Sequence, residues 1–101
     1  MIELRGDITR KLTPAVMERI REAPKPTKTA EVVIVTREFK GMALSLEEIA
    51  EIMNISDPSR QRSRASDYEV RELEKHPELL VIKTPTATYV RYVGLRSLYK
   101  K

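Results

Sequence analysis

Apolar positions recur with different periods along this chain, and the changes of period mark its elements. Ile2 and Leu4 alternate with Glu3 and Arg5 ahead of Gly6-Asp7, which predicts a short extended arm over residues 1–12. Thr13-Pro14 then opens a helix, with Thr as N-cap and Pro at the first helical position. Val16, Met17 and Ile20 give that helix one apolar stripe, and Pro24-Lys25-Pro26-Thr27-Lys28 ends it as a stiff connector. Residues 29–40 have two readings. Val32-Val33-Ile34-Val35-Thr36 is β-branched throughout, which favours a strand. The boundaries favour a helix: Thr29 can cap its start, and Lys40-Gly41 reads as a last turn with a left-handed glycine. The helix is the reading adopted.

Over residues 45–55 the pattern is clearer. Ser45-Leu46-Glu47-Glu48 is a capping box, and Leu46, Ile49, Ala50 and Met53 then share one helix face. Asn54 stands where a left-handed residue would end the helix, with Ile55 turning back to the core. Asp57-Pro58 can start the next helix, and Ser66-Asp67-Tyr68-Glu69 is a second possible capping box within it. Either one long helix runs to about His76, or a basic loop precedes a shorter one; Val70 and Leu73 are the core contacts in both. Leu79-Leu80-Val81-Ile82 and Tyr89-Val90-Arg91-Tyr92-Val93 form a β-hairpin about the turn segment Lys83–Thr88.

Composition narrows the chemistry. There is no Cys and a single His, His76, so disulfides, thiolate metal sites, Cys nucleophiles and multi-His sites are all excluded. His76 lies at a helix end beside Pro77, where a capping role outweighs a catalytic one. With only Gly6, Gly41 and Gly94 there is no phosphate-cradling loop, and no base converges on a Ser or Thr. The expectation is a binding protein with no cofactor, not an enzyme. The N-terminus has no apolar leader segment and no run spans a bilayer, which predicts a cytoplasmic protein. Charged residues make up 34% of the chain, with Asn54 the only Asn and Gln61 the only Gln. This is the balance expected of a thermophilic source, and a melting midpoint above the mesophile range of about 45–65 °C would support it.

The order helix, short apolar segment Met42-Ala43-Leu44, capped helix, tight turn, helix, hairpin resembles the winged helix-turn-helix superfamily. The resemblance covers roughly residues 29–95. Its most specific part is Leu44-Ser45-Leu46-Glu47-Glu48-Ile49-Ala50-Glu51-Ile52-Met53-Asn54-Ile55-Ser56, with Ala50 at the close approach of two helices and Asn54 at the turn. Val70–Lys75 followed by Leu79–Ile82 looks like the family's helix end and first wing strand. Between Ser56 and Val70 the chain is several residues longer than the common pattern. The resemblance implies an α+β fold: a three-helix core, a C-terminal hairpin wing and an extra N-terminal strand or helix. It divides the chain into an N-terminal arm and helix, 1–28, and a winged-helix domain, 29–101.

The net charge is +4, from 19 Lys+Arg against 15 Asp+Glu, so distribution matters more than the sum. If the extra stretch is helical, Arg60, Arg64, Arg71 and Lys75 fall on one face, with Ser59, Gln61, Arg62 and Ser63 nearby. Such a basic helix suits the major groove of double-stranded DNA, with Lys83 or Arg91 of the hairpin on the backbone. These residues are the candidate nucleic-acid contacts of a small transcriptional regulator. The plainer reading of the arginines is a solvated helix face, partly neutralised by Asp67, Glu69, Glu72 and Glu74. Two other functions stay open: a protein-interaction module of a transcription or replication complex, and RNA binding. Among the tyrosines, Tyr89 and Tyr92 point to opposite strand faces, and stacking of Tyr89, Tyr92 or Tyr99 on bases is a minor reading. Ile2, Leu4, Val16, Met17 and Ile20 could form a homodimer contact, which a dimer mass in light scattering would reveal.

Overall fold

The computed structural model describes residues 2–59 and 61–94. In chain order these form α1 (Gly6–Lys11), α2 (Pro14–Glu22), α3 (Lys28–Glu38), β1 (Leu44–Ser45), α4 (Leu46–Ser56), α5 (Asp67–Glu74), β2 (Leu79–Lys83) and β3 (Thr88–Tyr92). The fold is α+β. Its antiparallel sheet has the order β1-β3-β2, so the last strand lies in the middle. Leu44 pairs with Val90, and Val81 pairs with Val90 from the other side. Among the described residues no helix is long and apolar enough to cross a membrane.

The ambiguous β-branched run is helical because it is central. Val32, Val33, Val35 and Thr36 are all buried, and Ile34 packs partly against the same core. A helix wrapped by its own fold on nearly every side is held by tertiary burial, which outweighs a propensity deficit of a few tenths of a kcal/mol per residue. The buried Thr36 hydroxyl donates to the Val32 carbonyl at 2.7 Å, so it needs no outside partner. The N-cap is Thr27, whose hydroxyl accepts from Ala30 N, and not Thr29. Gly41 has φ 88°, but it stands two residues past the C-cap Phe39, in the turn that Met42 N closes on the Phe39 carbonyl, and not directly after the cap as expected.

The arm expected over residues 1–12 is instead partly helical. Asp7 sits in the first turn of α1 and Arg10 and Lys11 in the last, each favoured by the helix dipole. Ile8 anchors the short helix, with no exposed surface. Ile8 and Ile20 belong to the same core cluster as Phe39, Leu44, Ile52, Leu73 and Val90. Thr13 caps α2 with Pro14 at its start, as the sequence predicts.

Both capping boxes form. Ser45 Oγ accepts from Glu48 N while Glu48 accepts from Ser45 N, and Ser66 and Glu69 do the same at the start of α5. The end of α4 departs from expectation. Asn54 is not left-handed; among the described residues only Gly41 and Gly94 have positive φ. The helix continues through Ser56, Ile55 is 43% exposed, and the Asn54 amide reaches out to the following loop. Nor does Asp57-Pro58 open a helix. The Asp57 carboxylate accepts from Ser59 N and Ser59 Oγ, so it closes a turn in place of capping a new helix.

Candidate nucleic-acid interface

The loop between α4 and α5, and not a long helix, carries the basic segment. The single face drawn through Arg60, Arg64, Arg71 and Lys75 therefore does not form; Arg60 itself, like Tyr99 of the tail, lies outside the described residues. Helix α5 is not basic either. It carries Asp67, Glu69, Glu72 and Glu74 against Arg71 alone.

Arg62 is the largest correction. Its side chain is 6% exposed and lies against Glu31, at 4%, with Nε to Oε2 at 3.2 Å. Its guanidinium also donates to the Asp57 carbonyl at 3.0 Å and to Asp57 Oδ2 at 3.1 Å. The backbone of the same residue is gripped by Asn54: Arg62 N donates to Oδ1 at 2.8 Å, and Nδ2 donates to the Arg62 carbonyl at 2.9 Å. Residue 62 is thus a structural pin, and its side chain is not available to DNA. The Ser59 hydroxyl, and then the Arg62 guanidinium, hold the Asp57 carboxyl below the usual carboxylate range. That part of the pin persists above the ordinary carboxylate pKa and is lost only as pH falls through the lowered value.

The pinned loop presents its neighbours outward. Gln61, Ser63 and Arg64 are exposed. Arg64, Arg71 and Lys83 come from loop, helix and strand, yet they line one groove of about 320 Å³ with Asp67 and Thr88. The register explains Lys83. It pairs with Thr88, on the same sheet face as Val81 and the buried Val90, so it points to the helix side. Arg91 pairs with Leu80 and takes the opposite face with Ile82 and Tyr89, away from this groove. Lys75 is the C-cap of α5, paired with Glu72 at 3.7 Å, and does not line the groove. The Ser59 hydroxyl is engaged by Asp57 at 2.7 Å. His76 does not cap α5 with its ring: Nδ1 accepts from Glu78 N in the next turn.

Two of the groove cations already have carboxylate partners. Arg64 Nε lies 3.6 Å from Glu47, and Lys83 Nζ lies 2.8 Å from Glu74. Both pairs are between a third and two thirds exposed, where an ion pair is worth about 0–1 kcal/mol and a phosphate can displace the carboxylate. No ion pair of Arg71 is found among the described residues.

No protein-family model matches this chain, and neither a curated protein nor a solved structure matches it. The functional reading therefore rests on the residues themselves.

Of the apolar stripe expected to face a second copy, Ile20 has no exposed surface and Val16 is half-buried against the core, while Ile2, Leu4 and Met17 stay at the surface. These three line an apolar groove of about 480 Å³ together with Ile55. Ile55, expected from the sequence to turn back to the core, owes its exposure to the extra helical residues before Asp57. Among the described residues no His/Cys/Asp/Glu cluster could hold a metal.

Proposed function

We propose that this protein binds double-stranded DNA through the groove between the pinned loop, α5 and the hairpin. The observation that carries the reading is the convergence of Arg64, Arg71 and Lys83, from three separate segments, on one exposed groove. The order of elements supports a winged-helix arrangement: α3, β1, α4, α5, then the hairpin, with β1 closing on the far side of β3. In that arrangement α5 and the turn at residues 84–87 are the two projections able to meet a duplex together. Helix α5 is acidic apart from Arg71, so the positive charge of the groove comes in equal parts from loop, helix and strand. Transcriptional regulation is the simplest use of such a domain.

The test is a fluorescence-anisotropy titration of a labelled random-sequence duplex at two salt concentrations. With about six phosphate contacts, affinity falls roughly three decades between 50 and 200 mM salt. Absence of binding at the lower salt by the folded protein refutes the reading and favours a protein partner. Tighter binding to structured RNA than to duplex would reassign the ligand.

A further inference from the structure

A second basic groove, of about 450 Å³, lies on the other side of the pinned loop, between it and the α2–α3 connector. Its cations include Lys25 and Lys28, which the charge pattern did not single out, and it shares Arg64 with the first groove. The two lysines differ from Arg64 and Lys83 in their partners. Lys25 Nζ donates to the carbonyls of Ile20, Arg21 and Ala23 at 2.8–2.9 Å, and Lys28 Nζ donates to the Ser63 carbonyl at 2.9 Å. Carbonyl oxygens orient an ammonium group but do not cancel its charge. Of the groove carboxylates, Glu31 faces Arg62, and Glu69 closes its own capping box but keeps its charge, so Lys25, Lys28, Arg62 and Arg64 stand against two carboxylates and leave the groove net positive. Here, then, positive charge is held in place without an ion-pair partner among the described residues.

We propose that the Lys25–Lys28 groove is a second phosphate-backbone site, so that the duplex backbone is held on both sides of loop 61–64. The proposal rests on the DNA-binding reading above and extends it to residues outside the hairpin side. Lys28 keeps two N–H donors for a phosphodiester oxygen, while Lys25, whose three N–H groups all donate to carbonyls, contributes a fixed positive charge. Arg64 lines both grooves and so links them, with Gln61 and Ser63 on the wall of the second.

The experiment compares wild type, Lys25→Gln/Lys28→Gln and Lys25→Arg/Lys28→Arg on a random-sequence duplex across a fourfold range of salt. Gln keeps an amide donor for the carbonyls and removes the charge; Arg keeps the charge. Two lost phosphate-neutralising charges lower the log–log salt slope by about 1.8, so the Gln variant loses about twelve-fold less affinity than wild type over that range. The Arg variant keeps the wild-type slope. Binding by wild type with an unchanged slope in a folded Gln variant overturns this site and leaves the DNA reading standing. No binding by wild type overturns both. A slope lowered equally in both variants marks a structural role for the lysines and also overturns the proposal.

Discussion

Arg62→Ala is expected to cost about 3–5 kcal/mol of folding stability, the typical loss when one member of a buried ion pair is removed. The change takes the guanidinium away from Glu31, which is 3% exposed, and from both the carbonyl and the carboxylate of Asp57. For a domain near this size each kcal/mol moves Tm by about 4–8 °C, so a melt or a urea titration reads the effect easily. Arg62→Lys keeps the charge but loses the planar fork, and should fall between the two. The pair variant Arg62→Met with Glu31→Leu should recover much of the loss, since a buried pair replaced by apolar groups of similar size is often neutral or better. Arg64→Ala, on an exposed side chain, should stay within about 0.5 kcal/mol of wild type. An Arg62→Ala protein as stable as wild type would mean that the guanidinium is at the surface, and the account of the loop would fall with it.

The second large effect is on the ligand. Changing Arg64, Arg71 and Lys83 together to Gln removes the cations of the first groove. Each phosphate contact contributes about 0.9 decade to the affinity at 0.1 M salt relative to 1 M, so three contacts amount to a loss of several hundred-fold at 0.1 M. The residual binding should show a salt slope reduced by about 2.7. All three side chains are exposed, so the variant should fold normally, and its circular dichroism melt serves as the control. Wild-type affinity in that variant would move the contact surface elsewhere on the molecule. Arg91→Gln, on the other sheet face, should have little effect on either quantity.

What could be read from the sequence was what neighbours in the chain decide. The capping box at Ser45 and Glu48 lies within four residues, and the hairpin is announced by two apolar runs about a polar turn. The helix start at Thr13-Pro14 is equally local. The site was harder because its decisive partners are distant. Arg62 meets Glu31 across 31 positions, and nothing near either residue says that they touch. One trace was present: Glu31 interrupts a run that is otherwise apolar from Ala30 to Val35, and a carboxylate on a buried helix requires a cation. Asn54 misled for a related reason. Its side chain stabilises the helical conformation by bonding Arg62, eight positions on, so the local preference for a left-handed turn was overridden. The separation of Arg91 from Lys83 depended on the hairpin register, because one step along a strand reverses the face.

The Asn54–Arg62 clamp also sets what meeting a ligand would cost in time and in heat. A residue bonded through both its backbone and its side chain before any partner arrives has less chain entropy to surrender on contact. Encounter is then a docking of preformed surfaces, limited by diffusion and electrostatic steering and not by a folding step. The heat-capacity change should correspondingly be small, without the large negative value that accompanies coupled folding.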